Sequence, residues 1–305
     1  MVTNPSARFK HVLVTGATGI VGFPLCEMIA ALGILVTGYS RSPSPFSKSS
    51  GISHEPGDIA DIETLRNAGK GVDTIFHLAA TVHNSGVTFD EYKRVNVRGT
   101  QNVIEVAGDI GAKVVHVSTV NVDGFLKAQL SDDYVRTKSQ AEDLIHLAVN
   151  DGLDAVIIRL ATVFGNQSGR SGLIVDRMLS HSLKVLPAPL RKISPVWTED
   201  IGLALIRAAE VGQKGRTYTI AGPTMTTADF VKSISQTAGL SLPLLSVPAW
   251  VIKVPLQLAW WCKGMTRWTP PITLASLISD SIHDGGQAAE ELGFSYTPLS
   301  EIFRK

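Results

Sequence analysis

Cysteine is scarce in this chain: there are two in 305 residues, Cys26 and Cys262, set far apart. That excludes a disulfide framework and any cysteine-based metal site, and it suits a reducing compartment, expected to be the cytoplasm. An excess of charge of one sign is equally lacking, with 28 basic side chains against 27 acidic ones. The basic stripe that nucleic acid requires and the acidic tail of a disordered segment are therefore both missing. No apolar run reaches the length of a membrane span; the nearest, Val247 to Cys262, is interrupted by Lys253 and Pro255. Met1 to Lys10 carries no apolar segment of the signal-peptide kind. Hydrophobic residues make up 44% of the chain, enough to bury one large α/β core or two unequal ones.

The richest local pattern is Lys10-His-Val-Leu-Val-Thr-Gly-Ala-Thr-Gly-Ile-Val-Gly22. The run Val12 to Val14 reads as a buried strand, and Ile20 to Leu32 as an apolar helix. Between them Gly16 permits a tight turn, Gly19 lets backbone N–H groups approach a pyrophosphate, and Gly22 lets the helix pack close to the strand. Phosphates then sit at the helix N-terminus, where orphan N–H groups and the helix dipole favour anions. A glycine triplet alone is also the signature of an ordinary loop; the strand before it and the helix after it point to a dinucleotide. The expected contacts are Gly16, Thr18, Gly19, Ile20, Val21 and Gly22.

Ile34 to Tyr39 reads as the second strand, and Ser40-Arg41 follows where NAD-specific sites usually carry an acidic residue for the ribose 2′-hydroxyl. An arginine there pairs with a 2′-phosphate instead, so NADP(H) is expected over NAD(H). The alternative is a solvated arginine in the Ser/Pro-rich stretch Ser42 to Ser50. Gly57-Asp58-Ile59 follows a third short strand, and Asp58 and Ile59 are candidates for the adenine end. Val72 to His77 is a fourth strand, ending in Leu78-Ala79-Ala80, small enough at its end for a flat ligand to lie against the backbone. His83 and Asn84 lie beyond it; His83 is a weak substrate candidate, since a lone loop histidine is more often solvated. Phe89 to Ala107 reads as one long helix and Lys113 to Val117 as the fifth strand. This alternation predicts a doubly wound parallel sheet.

Ser118 and Thr119 close the fifth strand, and Ser131-Asp-Asp-Tyr-Val-Arg-Thr-Lys138 opens a helix. Tyr134 and Lys138, four apart, share one helical face. A phenol with an unperturbed pKa of about 10 is a poor base near neutrality, but a neighbouring ammonium favours the phenolate. Tyr134 is thus the candidate general acid/base for an alcohol or ketone oxygen, Thr119 the hydroxyl that orients that oxygen, and Lys138 the group that holds the nicotinamide ribose. Nothing in the sequence has metal-ligand spacing, and no metal is expected.

Together these stretches resemble the short-chain dehydrogenase/reductase superfamily in its extended, epimerase/dehydratase-like branch. The resemblance is carried by Thr15-Gly-Ala-Thr-Gly-Ile-Val-Gly22, Gly57-Asp58, His77-Leu-Ala-Ala80, Asn96-Val-x-Gly-Thr100, Val117-Ser-Thr119, Tyr134-x-x-x-Lys138 and Arg159-Leu-Ala-Thr-Val-Phe-Gly165. It implies the roles given for Thr119, Tyr134 and Lys138, further cofactor contacts from Asn96, Ser118, Leu160 and Val163, and a homodimer formed through the helices Phe89–Ala107 and Asp133–Val149. Three features depart from the pattern. Asp123 stands where an aromatic is usual, Leu160 follows Arg159 where proline is usual, and the loop from Thr119 to Tyr134 is short. They count against a nucleotide-sugar substrate.

The last third is expected to form a smaller, mainly helical substrate domain. The boundaries implied are a Rossmann domain over 8–165, rejoined by 194–212, and a substrate domain over 166–193 and 213–305. Val120 and Trp197 are weak substrate candidates; a core position serves Trp197 equally well. Pro248 to Cys262 reads either as a core helix with a proline kink, which is favoured, or as an aromatic lid or membrane-resting surface. With Arg267-Trp-Thr-Pro270 and Leu292-Gly-Phe294 it loosely resembles the 3β-hydroxysteroid-dehydrogenase-like subgroup. The expected function is an NADP(H)-dependent oxidoreductase for a secondary alcohol or ketone, small and lipophilic or cyclic. The alternatives are a nucleotide-sugar epimerase or 4-keto reductase, and an NADP(H)-sensing binding protein without turnover.

Overall fold

The computed structural model describes residues 9–46, 51–82, 86–126, 132–165, 173–243, 245–251 and 279–302. In chain order the first half contains β1 (His11–Thr15), α1 (Gly22–Ala31), β2 (Leu35–Ser40), β3 (Ile52–Pro56), α2 (Ile62–Ala68), β4 (Thr74–His77), α3 (Phe89–Tyr92), α4 (Gly99–Ile110), β5 (Lys113–Thr119), α5 (Asn121–Leu126) and α6 (Asp133–Asn150). The second half contains β6 (Ala155–Leu160), β7 (Thr162–Phe164), α7 (Leu173–Leu179), β8 (Val185–Pro187), β9 (Lys192–Ile193), β10 (Pro195–Trp197) and α8 (Thr198–Val211). It continues through β11 (Thr217–Ile220), β12 (Met225–Thr226), α9 (Thr227–Ala238), β13 (Leu245–Val247), α10 (Gly286–Leu292) and α11 (Leu299–Ile302).

The chain divides into two compact units. The first holds residues 1–160, 198–220 and 285–295, and the second 161–197, 221–284 and 296–305. In the first, seven parallel strands lie in the order β11-β6-β5-β4-β1-β2-β3. Both faces of the central strands are covered by helices, so β1, β4, β5 and β6 read as near-continuous apolar runs rather than alternating ones. The sheet is the doubly wound α/β arrangement the sequence predicts. Its order reverses between β1 and β4, which places a crevice at the C-terminal ends of those strands.

The division departs from the expected boundaries in four places. Residues 194–197, expected to rejoin the first unit, belong to the second, where β10 pairs with β7. Residues 161–165 belong to the second unit, because β7 pairs with β10 and not with the large sheet. Residues 213–220 belong to the first, because β11 extends the sheet beside β6. Residues 285–295 also return to it: α10 packs on α8 and β11, Arg207 Nε donates to the Leu292 carbonyl at 2.8 Å, and Arg216 pairs with Glu291 at 2.8 Å. The second unit is built on its own core of Phe164, Val175, Met178, Leu186, Ile193, Phe230, Val231 and Ile234. Among its described residues are the helices α7, α9 and α11 and three two-stranded ladders, β7 with β10, β9 with β12 and β8 with β13. Strands of two or three residues are too short to show a period of two.

The helix expected over Phe89–Ala107 changes type in its middle. Lys93–Arg98 is a π-helical segment between α3 and α4, with the Gly99 N–H bonded to the Arg94 carbonyl five residues back. Among the described residues no helix is long and apolar enough to cross a membrane. Of the run Pro248 to Cys262, only Pro248 to Val251 is described, with Trp250 exposed; the rest, like Arg267-Trp-Thr-Pro270, lies outside the described residues, as do His83, Asn84 and Ser131.

Candidate active site

The turn after β1 is shaped by close backbone approach. Gly16 has φ +72° and donates to the Tyr39 carbonyl at 2.8 Å, while Gly19 donates to the Gly16 carbonyl at 2.9 Å. A Cβ at Gly22 would lie 2.2 Å from the Gly16 oxygen, so only glycine lets α1 start here. A Cβ at Gly16 would lie 2.9 Å from the Ala79 nitrogen, which brings Leu78 and Ala79 at the end of β4 directly against the turn. Val21, the residue preceding α1, makes no side-chain cap, and the helix has no acidic residue in its first turn. The positive end of its dipole thus meets no side chain of its own, which fits the pyrophosphate of a dinucleotide, although the Phe23 N–H is bonded to the Gly19 carbonyl at 3.1 Å and Pro24 has none. A second feature fits the same ligand. The buried hydroxyl of Ser118, at the end of β5, has no hydrogen-bond partner within the protein.

At the far side of the sheet, Ser40 ends β2 and its hydroxyl bonds His54 Nε2 on β3 at 2.9 Å. Arg41 follows, exposed, its charge reaching Asp58 and Glu91 through space. The neighbouring Arg94 is already neutralised: it pairs with Glu91 at 2.7 Å and with Asp58 at 3.0 Å. The Asp58 carboxylate also accepts from the Ala60 N–H at 2.9 Å. Burial opposes its charge, but those hydrogen bonds prevail and hold its pKa below the usual range. Ile59 turns its side chain into the core, where it fills the space beside Gly99, and its carbonyl accepts from Asn102 at 2.9 Å. Phe46 stacks flat on Phe23 of α1, with ring centroids 5.3 Å apart, folding the end of the Ser/Pro stretch back on the domain.

The catalytic candidates are positioned by helix ends. Asp132 caps α6, accepting from the Tyr134 N–H at 2.8 Å and the Val135 N–H at 3.4 Å. The π-helical segment turns Asn96 toward α6. Asn96 donates to Thr137 Oγ1 at 3.0 Å and to the Thr81 carbonyl at 3.1 Å, and accepts from the Thr81 N–H at 2.8 Å. Both amide hydrogens of Asn96 are thereby committed to the protein, so its side chain ties the loop after β4 to Thr137 on α6. Thr119 accepts from the Asn121 N–H at 3.3 Å, which leaves its hydroxyl hydrogen to donate.

Tyr134 and Lys138 lie one turn apart, as their spacing predicts, but their electrostatics differ from the expectation. Lys138 is buried and directs its ammonium to the sheet, donating to the Val117 carbonyl at 2.7 Å and to His116 Nε2 at 3.3 Å. Burial pushes its pKa down to about 8, against the upward pull of Glu142. The Tyr134 phenol is raised above its ordinary value by burial, then by the Asp132 carboxylate and Tyr92. The ammonium thus lowers nothing here; the phenol is protonated at neutral pH and stands ready as a proton donor.

An ion cluster, buried at Glu142 and open at Asp123, fastens this helix from behind. Arg159 on β6 holds Glu142 of α6 in a two-pronged contact at 3.0 and 2.6 Å and Asp123 of α5 at 2.5 Å. Asp123, the residue in the usual aromatic position, is thus a third member of the clamp. Leu160 and Val120 are both buried, and the Val120 N–H bonds the Leu160 carbonyl at 3.1 Å. Val163 and Trp197 lie in the second unit, in β7 and β10, with Trp197 packed on that unit's core. No group of potential metal ligands occurs among the described residues.

Comparison with known proteins agrees with this arrangement. Residues 12–221 match the NAD dependent epimerase/dehydratase family. The sterol demethylase protein B of Methylococcus capsulatus is 26% identical, over 95% of each chain. A 3-beta-hydroxysteroid dehydrogenase of Mycolicibacterium neoaurum is 28% identical over 78% of this chain and 72% of its own. Among solved structures, the crystal structure of gox2253 superposes with a TM-score of 0.80 over 96% of both chains at 24% identity, a likeness of fold. The chain belongs to the NAD dependent epimerase/dehydratase family, the extended branch of the short-chain dehydrogenases/reductases, and is an NAD(P)-dependent oxidoreductase.

Proposed function

We propose that this enzyme interconverts a secondary alcohol and a ketone on a lipophilic, cyclic substrate, using NADP(H), with Tyr134 as general acid/base. The observation that carries this reading is the placement of Tyr134 and Lys138 one turn apart on α6, in the same unit as the Ser118-Thr119 end of β5 and the uncapped start of α1. When bound, the nicotinamide supplies or accepts the hydride. In the reducing direction Thr119 donates to the ketone oxygen and orients it, and Tyr134 gives that oxygen its proton. In the oxidising direction the same phenol oxygen takes the proton back. Lys138, charged below about pH 8, is assigned to the nicotinamide ribose. Asp58 and Ile59 are assigned to the adenine end, and Gly16, Thr18, Gly19, Ile20, Val21 and Gly22 to the pyrophosphate. Leu78, Ala79, Ala80 and Leu160 are assigned to the nicotinamide half. The two sterol- and steroid-named relatives support a lipophilic ring system as substrate. The protein is read as a cytoplasmic homodimer joined through α4 and α6.

The preference for NADP(H) rests on Arg41. Titration of the wild type and of Arg41→Ala with NADPH and NADH is expected to show tighter NADPH binding, weakened about tenfold by the substitution, at the low end for a charged pair because Arg41 is exposed. NADH binding is expected to stay unchanged. Equal affinities, indifferent to Arg41, would remove the NADP(H) assignment and favour the nucleotide-sugar epimerase reading.

A further inference from the structure

We propose that His116 is a positioning residue for Lys138: from within the sheet its Nε2 accepts from the Lys138 ammonium and fixes that side chain relative to Tyr134. The proposal rests on the reading of Tyr134 and Lys138 as the acid/base pair. His116 sits in the middle of β5, fully buried, in a run otherwise composed of valines. A histidine buried there loses hydration at both ring nitrogens, and the structure compensates only one of them. Nε2 faces the Lys138 Nζ at 3.3 Å, whereas Nδ1 has no partner within the protein. An ammonium can only donate, so Nε2 is the acceptor and the ring hydrogen stays on Nδ1. A core position filled for packing alone would be served better by a further valine. What the histidine adds is the one bond to Lys138.

The adjacent histidine shows the contrast. His77 on β4 has its ring 5.2 Å from that of His116, and both its nitrogens are paired, with Thr15 Oγ1 at 2.9 Å and Thr100 Oγ1 at 3.0 Å. The Thr100 hydroxyl donates to the Asn96 carbonyl at 2.7 Å, so its oxygen receives the His77 Nε2–H. Thr15 in turn receives the Leu78 and Ala79 N–H groups and donates to His77 Nδ1. This chain fixes His77 as a neutral strut between the glycine turn and the π-helical segment, unavailable to Lys138. The ionisable groups that bear on the Lys138–His116 pair are therefore His77 on β4 and Tyr134, Glu142 and His146 on α6. Burial drives both strand histidines neutral, with Lys138 adding to the effect, so the ammonium meets acceptors on the sheet rather than a second cation. The Val117 carbonyl and His116 hold two of its three hydrogens, leaving the third to serve the site.

The test compares His116→Gln with His116→Asn. Each buries one amide, but the glutamine oxygen reaches the position of Nε2 and the asparagine oxygen only that of Nδ1. Titration of the Lys138 amine by NMR in lysine-labelled protein, assigned with Lys138→Met, reads the contact without turnover. We expect His116→Gln to titrate as the wild type does. In His116→Asn the Lys138 titration should fall by about one pH unit, because a bond to the charged form has been lost. With a ketone substrate its kcat should drop about tenfold and its alkaline limb should move down by the same interval. Nitrogen NMR of labelled histidine in the wild type should show His116 protonated on Nδ1, a readout that needs no variant to fold. The opposite tautomer, or two variants that titrate at Lys138 like the wild type, would overturn the proposal. If the wild type reduces no ketone while His116→Asn still moves the Lys138 titration, the functional reading fails and the positioning role stands.

Discussion

Tyr134→Phe is expected to lower kcat by about a hundred- to ten-thousandfold, the range for loss of a positioned general acid, and to leave NADPH affinity nearly unchanged. The separation follows from where each bond of Tyr134 goes. Its backbone N–H is capped by Asp132, and its ring packs 6.4 Å from that of Tyr92; both contacts survive in phenylalanine. Only the hydroxyl is removed, the group that burial keeps protonated at neutral pH. Steady-state kinetics with a fluorescence titration of NADPH measures both arms. Activity retained within a few-fold would discard Tyr134 as the acid. The wild-type pH profile carries a second signature: activity should fall as pH rises through about 8, where Lys138 loses its charge, and hold below that point.

Glu142→Gln is expected to destabilise the fold by about 3 kcal/mol, because it leaves a mostly buried guanidinium facing a neutral amide. That corresponds to a fall in Tm of about 5 °C in a protein of this size. Glu142 is 4% exposed and makes the two-pronged contact with Arg159, itself 15% exposed. Asp123, on the other side of the same guanidinium, is 48% exposed, so Asp123→Asn is expected to cost no more than about 1 kcal/mol. Glu142 lies one turn after Lys138 on the same face of α6, so kcat is expected to fall with stability. Thermal unfolding of the two variants side by side decides the point. Equal losses would mean that burial does not rank the two carboxylates.

How far the sequence anticipates this molecule depends on the kind of constraint involved. The β1–α1 turn was legible because its glycines answer a steric demand that no other residue meets, as Gly22 against the Gly16 oxygen shows. The pairing of Tyr134 with Lys138 was legible because a spacing of four is a geometric fact of the helix. The direction of the Lys138 ammonium was not, since nothing local distinguishes a lysine that faces a phenol from one that faces a sheet. In the sequence His77 stands at the end and His116 in the interior of an apolar strand; their pairing is made by neighbouring strands, β4 and β5, and by residues 22 and more positions away. The π-helical segment left no trace either, because it changes which carbonyl each N–H reaches and not which residues are present. Asp123 was visible as a departure from the family pattern, but its partner Arg159 is 36 residues on. The boundary at Leu160 was missed because the short strand β7 continues directly from β6 into a different ladder.

Reduction of ketones with NADPH is read by mixing the purified protein with NADPH and a panel of cyclic ketones, steroid ketones included, and following nicotinamide absorbance together with the alcohol formed. Ketone-dependent oxidation of NADPH is expected, one alcohol for each NADPH consumed. NADPH that stays reduced with every ketone, while a UDP-sugar is converted with no net change in the nicotinamide, would contradict it.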